Sequence, residues 1–228
     1  MRIIFVRHGH PDYEKNCLTE LGHRQAEAAA ERLSGEKVHA FYSSPYGRAV
    51  ETAEHIAAKH GLSIDIRDFI CELHWGSIDD QPIHKEGHPW FVVGDMIAEG
   101  ISLMDPNWKE HEHFNRNILV DHVKRVEDGI DGWLAELGYV REGEYYRVME
   151  ENDSTVIMVS HAGSSGAALA HMLNLPFPFV CPVLSPDFSG ISIIKFCGKP
   201  GQLTVPRVEI LSDARHIEGL HTEIVYEQ

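Results

Sequence analysis

Three short stretches of the sequence place arginine or histidine beside an apolar segment. Arg7 and His8 come directly after the run RIIFV, and Arg48 lies in the stretch SSPYGRA. His161 follows the run STVIMVS and precedes a group of small residues. Guanidinium groups match the geometry of phosphate oxygens, and the N–H groups at a helix N-terminus add dipoles that favour an anion. Together the three stretches predict a binding site for a phosphate group.

Alternating strand and helix patterns explain how these side chains would meet. The predicted strands cover residues 2–6, 38–42 and 63–68, the run STVIMVSHAG, and two closing segments, GISIIKF and LTVPRVEIL, that could pair as a hairpin. Two predicted helices begin at the N-caps Thr19 and Ser44, a third covers residues 116–137, and a fourth follows His161. An acidic loop is predicted before the strand STVIMVSHAG. Strands that alternate with helices form a parallel sheet, and ligands collect at the carboxyl ends of its strands.

Composition limits the possible partners and location of the protein. The chain of 228 residues has a formal net charge of −15, which argues against nucleic acid as a partner. Its four cysteines form no CxxC pair, which is typical of reduced thiols in a cytoplasmic protein. The first apolar run is too short for a signal peptide, and no stretch reaches membrane-spanning length. We therefore expect a soluble cytoplasmic protein without a membrane partner; homo-oligomer formation is left open.

The alternating pattern lapses between residues 77 and 116. This stretch is rich in proline, glycine, histidine and aromatic residues. We interpret residues 1–228 as one domain with a cap inserted at about 77–116. The cap would select the substrate, and the nearby side chains of Trp75, Trp90, Phe91 and Trp108 would suit a leaving group with a flat or apolar portion.

Four motifs follow one another in a defined order. They are RHG at residues 7–9, SSPYGRAVETA at 43–53, CELHWG at 71–76 and SHAG at 160–163. This order resembles the signatures of the histidine phosphatase superfamily, also called phosphoglycerate mutase-like. The segments LTELGHRQA and LSDARHI extend the resemblance over most of the chain. The resemblance implies a three-layer α/β/α sandwich with a mostly parallel central sheet.

The resemblance also implies a role for each motif residue. His8 would be the nucleophile that becomes a phosphohistidine, and Glu72 would be the acid that protonates the leaving group and later assists water. The expected reaction is hydrolysis of a small phosphorylated substrate without metal or cofactor, with Arg7, Arg48 and His161 neutralising charge on the transferring group. The residues expected to bind phosphate are Arg7, Gly9, His10, Arg48, His161 and Ala162.

Two departures from the family pattern bear on the reaction. The family often has an acidic residue and then Ser or Thr after RHG, with a phosphate-binding Asn a few positions later. This chain has a shorter loop that begins at His10, and whether Asn16 contacts phosphate is left open. The candidate basic residues of the cap, Lys85, Lys109 and Arg116, are few and lie among acids. A mutase must hold a bisphosphorylated intermediate, so hydrolysis is favoured.

Three alternatives remain from the sequence. The first is a phosphoglycerate mutase-type phosphoryl transferase, and the second is a non-catalytic phospholigand-binding protein on the same fold. The third is a metal-dependent hydrolase that uses the histidines of the cap, in which His84 and His88 are four residues apart and His111 and His113 are two apart. No cysteine or ordered set of carboxylates completes a metal site near either pair, so the metal alternative ranks last.

Overall fold

The computed structural model describes residues 1–220, so the last eight residues of the predicted domain lie outside the described residues. The strands are β1 (Arg2–Arg7), β2 (Pro11–Asp12), β3 (Cys17–Leu18), β4 (Ala40–Ser43), β5 (Ile64–Ile66), β6 (Tyr139–Glu142), β7 (Tyr145–Val148), β8 (Thr155–Ser160), β9 (Ile191–Lys195), β10 (Leu203–Thr204) and β11 (Arg207–Asp213). The helices are α1 (Glu20–Leu33), α2 (Gly47–Ala58), α3 (Pro89–Ala98), α4 (Leu119–Glu136), α5 (Ala162–Met172) and α6 (Phe177–Val183).

A six-stranded sheet forms the centre of the fold, in the order β11-β9-β1-β8-β4-β5. Strands β1, β8, β4 and β5 are parallel to one another, whereas β9 and β11 pair antiparallel at one side. The predicted mostly parallel sheet is therefore confirmed. The two closing strands do pair with each other, but the predicted segment LTVPRVEIL is divided at Pro206, and β10 joins β7 in a second sheet.

Residues of β1 alternate between two hydrophobic cores, one on each face of the sheet. Ile4 and Val6 pack in the core that α1 and α2 cover. Ile3 and Phe5 pack in the core on the other face, which α4, α5 and α6 cover. Successive side chains of a strand point to opposite faces, so a strand buried on both sides must be apolar throughout. This requirement explains why the run IIFV contains no polar residue.

The parallel register brings three strand ends together at one edge of the sheet. Arg7 at the end of β1 lies opposite Ser160 at the end of β8, and Ser43 of β4 lies opposite Val159. The residue that follows each strand therefore emerges at the same edge. His8 follows β1 there, as the sequence predicts.

Helix starts agree with the sequence at α1 but not at α2. The Thr19 hydroxyl accepts a hydrogen bond from the Gly22 N–H, which makes Thr19 the N-cap as predicted. The prediction of Ser44 as the second N-cap is wrong, because α2 begins two residues later and its N-cap is Tyr46. Tyr46 has extended backbone angles, and its N–H donates to the Ser44 hydroxyl in the turn before the helix.

The segment predicted as an acidic loop forms a β-hairpin. Strands β6 and β7 pair antiparallel and make a three-stranded sheet with β10. Tyr139 and Tyr146 are buried and pack against Phe196. The segment was predicted as a loop because acidic residues surround these apolar side chains in the sequence. Helix α6 was also not predicted, since its short sequence contains two prolines.

Residues 77–116 contain α3 and two short 3₁₀ turns. A single β-bridge between Ser77 and Asn117 joins the two ends of this segment. The buried Asn117 side chain donates to the Gly87 carbonyl at 2.8 Å and accepts from the N–H groups of Gly76 and Leu119. Asn117 therefore ties the base of the segment to the start of α4. None of the helices within residues 1–220 is long and apolar enough to cross a membrane.

We predict that Asn117→Ala lowers the free energy of unfolding by about 2–3 kcal/mol, because two backbone N–H groups and one carbonyl lose a buried partner. The measurement is urea unfolding at neutral pH. Asn115→Ala is the matched control: that side chain is exposed and makes one long hydrogen bond, so its effect should stay within about 0.5 kcal/mol. Equal effects of the two substitutions would contradict the role given to Asn117.

Candidate active site

His8 is fully buried at the end of β1, and its ring orientation is fixed from both sides. Nδ1 lies 2.7 Å from the carbonyl oxygen of Gly9, which can only accept, so Nδ1 carries the proton. Nε2 lies 3.3 Å from Nε of Arg48, which can only donate. The lone pair of the neutral imidazole is therefore on Nε2. Burial lowers the pKa of His8 well below its usual value, and the charges of Arg7 and Arg48 lower it further.

Two arginines lie beside this imidazole. Arg7 donates to the Pro186 carbonyl at 2.6 Å and stacks on the Phe188 ring. Arg48 stands in the first turn of α2, as predicted, and its Nη1 donates to Oδ1 of Asn16 at 2.8 Å. Both side chains are buried. Their contacts fix the direction of each guanidinium, so the positive charge near His8 is fixed in position.

His161 lies against His8, with 5.1 Å between the ring centroids. It is the residue before α5, and its Nε2 is 2.8 Å from the hydroxyl of Ser44. Its buried Nδ1 has no hydrogen-bond partner within the described part of the chain. Burial lowers the pKa of His161 well below its usual value, with His8 and Arg48 as further causes. A neutral His161 with a free ring nitrogen can bind one further polar group.

Glu72 approaches the N-terminus of α5. Its Oε1 accepts hydrogen bonds from the N–H groups of Leu73 and Ser164, at 2.9 and 3.0 Å. Desolvation raises the pKa of Glu72, although these bonds and the charges of Arg7 and Arg48 oppose the rise. Because Oε1 is occupied by two donors, Oε2 is the oxygen that can carry a proton. A raised pKa favours the protonated carboxyl, which is the form that a general acid requires.

The remaining predicted residues have packing contacts. A Cβ at Gly9 would lie 2.5 Å from the Gly22 carbonyl oxygen, so contact with α1 explains this glycine. The ring of His10 lies 2.9 Å from the Thr19 hydroxyl and packs on Phe188. Ala162 is the first residue of α5, where helix N–H groups favour an anion. Contacts of these residues with phosphate remain predictions.

Sequence reasoning missed several residues around the site. Ser44 was assigned to a helix cap, and Arg125 belongs to none of the motifs. The role of Asn16 was left open. In the structure its Oδ1 accepts a hydrogen bond from Arg48, and its backbone has a φ of 53°. Asn adopts this left-handed conformation more readily than most residues. That property was the one signal in the sequence that could have assigned Asn16 to the turn.

Of the two histidine pairs that their spacing suggested in the cap, His111 and His113 do pack together, with ring centroids 4.9 Å apart, whereas His84 and His88 do not. His84 stacks on His113 and His88 stacks on Phe91. Lys85 and Glu86 have positive φ, so the chain between His84 and His88 is not a regular helix and the two imidazoles do not share a face. Within residues 1–220, no group of three or more His, Cys, Asp or Glu side chains could hold a metal ion.

Comparison with a family model shows which protein family the chain belongs to. The model of the histidine phosphatase superfamily, branch 1, matches residues 3–206. The chain belongs to the histidine phosphatase superfamily. The predicted family is therefore confirmed, and the motif residues of this histidine phosphatase are the ones that meet at the edge of the sheet.

Curated relatives of this histidine phosphatase include both phosphatases and mutases. It is 29% identical over 187 residues to a glucosyl-3-phosphoglycerate phosphatase of Mycobacterium tuberculosis, covering 77% of this chain and 76% of the relative. It is 45% identical over 183 residues to a 2,3-bisphosphoglycerate-dependent phosphoglycerate mutase of Thermoplasma acidophilum, covering 68% and 85% of the two chains. The solved structure of a mycobacterial glucosyl-3-phosphoglycerate phosphatase with inorganic phosphate has the same fold, with a TM-score of 0.65, 23% identity, and coverage of 95% and 99%.

We predict that the free energy of unfolding falls as the pH drops below about 6.5, because the unfolded chain then binds protons that buried His8 and His161 do not. In this window the unfolded state binds more protons, so stability must rise with pH. His161→Gln removes one of these groups and should reduce the loss between pH 7.5 and 5.5 by about 1 kcal/mol. Urea unfolding of both proteins at pH 7.5 and 5.5 measures this loss. Identical losses for both proteins would contradict the lowered pKa of His161.

Proposed function

We propose that the protein is a phosphomonoesterase that hydrolyses a small phosphorylated metabolite through a phosphohistidine at His8. One observation carries the proposal: the Nε2 lone pair of a neutral, buried imidazole lies among Arg7, Arg48 and His161. The relatives named above that are glucosyl-3-phosphoglycerate phosphatases support the same class of reaction.

The first step transfers the phosphoryl group to the enzyme. The Nε2 lone pair of His8 attacks phosphorus and forms a P–N bond, while the ester P–O bond breaks. The leaving oxygen takes the electron pair of that bond and the proton from Glu72, so it departs as an alcohol. Nδ1 keeps its proton, and the Gly9 carbonyl stabilises the positive charge that develops on the ring.

The second step returns the enzyme to its first state. Glu72, now a carboxylate, takes a proton from water as the water oxygen attacks phosphorus. The P–N bond breaks and its electrons return to Nε2, which releases inorganic phosphate. The side chains of Arg7, Arg48 and His161 would hold the non-bridging oxygens through both steps. Fixed donors of this kind stabilise the transition state without a reorganisation cost.

Charge pairing in the cap supports hydrolysis over mutase chemistry. Lys109 lies 2.6 Å from Glu127, Arg116 lies 2.7 Å from Asp79, and Lys85 lies 3.8 Å from Asp95. These three cations are therefore neutralised by carboxylates of the chain itself. A mutase needs uncompensated positive charge over the site to retain a bisphosphorylated intermediate.

The mutase remains the second candidate, because the relative from Thermoplasma acidophilum is 45% identical over 183 residues. The two reactions differ in their products and in their need for a primer. A phosphatase releases free phosphate from a panel of phosphomonoesters without added bisphosphoglycerate. A mutase isomerises phosphoglycerate, retains the phosphate, and depends on the bisphosphorylated primer.

We further infer a reducing compartment such as the cytoplasm as the place of action. The four cysteines, Cys17, Cys71, Cys181 and Cys197, are all free thiols. Oxidising compartments favour disulfides.

We predict that His8→Ala loses turnover by at least about 10³-fold, since no other group supplies the nucleophile. Wild-type enzyme mixed with labelled substrate should carry an acid-labile, base-stable phosphoryl label that the variant lacks. His55→Ala, which removes a histidine outside the site, should keep both turnover and label. Near wild-type turnover of a folded His8→Ala variant would contradict the nucleophile assignment.

We predict that Glu72→Gln slows phosphoenzyme formation far more for an alkyl phosphate than for p-nitrophenyl phosphate. An alkoxide cannot leave unprotonated, whereas nitrophenolate can, so the difference between the two losses should be about 10²-fold or more. Rapid mixing is required, because the steady state can report dephosphorylation instead. Equal losses with both substrates would assign Glu72 to ligand binding rather than to acid catalysis.

A further inference from the structure

Arg125, on α4, contacts the backbone that carries Glu72. Its Nη2 donates to the carbonyl oxygen of Cys71 at 2.7 Å and to that of Glu72 at 3.3 Å. Its Nη1 lies 3.0 Å from Nδ1 of His122, one turn earlier on the same helix. Since a guanidinium can only donate, Nδ1 of His122 is the acceptor. Both terminal nitrogens of Arg125 are thus engaged by the protein.

The backbone around Glu72 is held before it by the Cys71 N–H, which donates to the Asp68 carbonyl, and after it by the buried Leu73, while the carbonyls of residues 71 and 72 bond to Arg125. Residues 72–76 form neither helix nor strand. The N–H of Ser164 binds the Glu72 carboxyl group at α5. A movement of the Glu72 backbone would still displace this carboxyl group. The bonds from Arg125 hold the carbonyls of residues 71 and 72 against α4. The position of the carboxyl therefore depends on both α5 and Arg125.

From this geometry we infer that Arg125 is a positioning residue that holds the acid Glu72 in reach of the leaving oxygen. The inference rests on the phosphatase function proposed above. Arg125 acts through the Glu72 backbone and does not itself transfer a proton, because a guanidinium stays protonated at any working pH.

A chain of ring contacts connects the same residue to the phosphate side of the site. The His122 ring packs edge-on against His74, with centroids 5.2 Å apart, and Nε2 of His74 lies 2.9 Å from the Tyr46 hydroxyl. Tyr46 in turn packs on His161. Arg125 thus lies at one end of a wall that ends on a phosphate-binding histidine.

The experiment is a double-mutant cycle between Arg125→Met and Glu72→Gln, with phosphoenzyme formation measured by rapid mixing. Arg125→Met should slow formation from an alkyl phosphate about tenfold or more, and formation from p-nitrophenyl phosphate by less than about threefold. In the Glu72→Gln background, Arg125→Met should add less than about twofold, because its effect passes through the acid. Lys124→Met, which removes an exposed charge from the same helix, should change neither rate.

Two further measurements separate positioning from other roles. The inhibition constant of inorganic phosphate should stay within about twofold in Arg125→Met, since Arg125 does not bind the phosphoryl group. Arg125→Lys keeps the charge and a single donor nitrogen, so it should show the same preference for the alkyl phosphate with a smaller loss. This variant replaces Arg125→Met if that protein does not fold. Equal losses with both substrates, full additivity with Glu72→Gln, or weakened phosphate inhibition would overturn the inference. A wild-type enzyme that forms no phosphoenzyme would overturn the proposed function itself.

Discussion

The hydrogen bond between Nδ1 of His8 and the carbonyl oxygen of Gly9 is the contact on which the rest of the site depends. It leaves the lone pair of the imidazole on Nε2, the nitrogen beside Arg48. The bond forms because His8 directly follows β1 and is buried where the sheet ends. Position 9 requires glycine, because α1 approaches its Cα so closely that a side chain would not fit. A backbone constraint thus selects the tautomer that can act as a nucleophile.

Burial moves the pKa values of the acid and the nucleophile in opposite directions. It lowers the pKa of His8, which favours the neutral imidazole, and it raises the pKa of Glu72, which shifts that group toward the protonated carboxyl. A neutral imidazole can attack, and a neutral carboxyl can protonate. Two buried guanidiniums lie beside them in a chain whose net charge is −15. In the proposed reaction, a phosphate dianion bound there would neutralise this local positive charge.

The sequence predicted where the motif residues come together better than it predicted the elements around them. Arg7, His8 and His161 could be assigned because each follows an apolar strand, and parallel pairing forces such residues to one edge. The hairpin of β6 and β7 was missed because acidic residues surround Tyr139 and Tyr146, whose burial depends on contacts with the distant Phe196. The same limit applies to Arg125. Nothing in its local pattern indicates that it binds carbonyls of residues more than fifty positions earlier in the chain.

The tautomer of His8 is the most direct test of this account. ¹⁵N NMR of protein labelled at histidine, with His8 assigned by comparison with His8→Ala, distinguishes a protonated ring nitrogen from a bare one. At neutral pH we expect a proton on Nδ1 and none on Nε2, and this state should persist well below pH 6.5 because the pKa of His8 is lowered. A proton on Nε2, or an imidazolium at neutral pH, would contradict the assignment of His8 as the nucleophile.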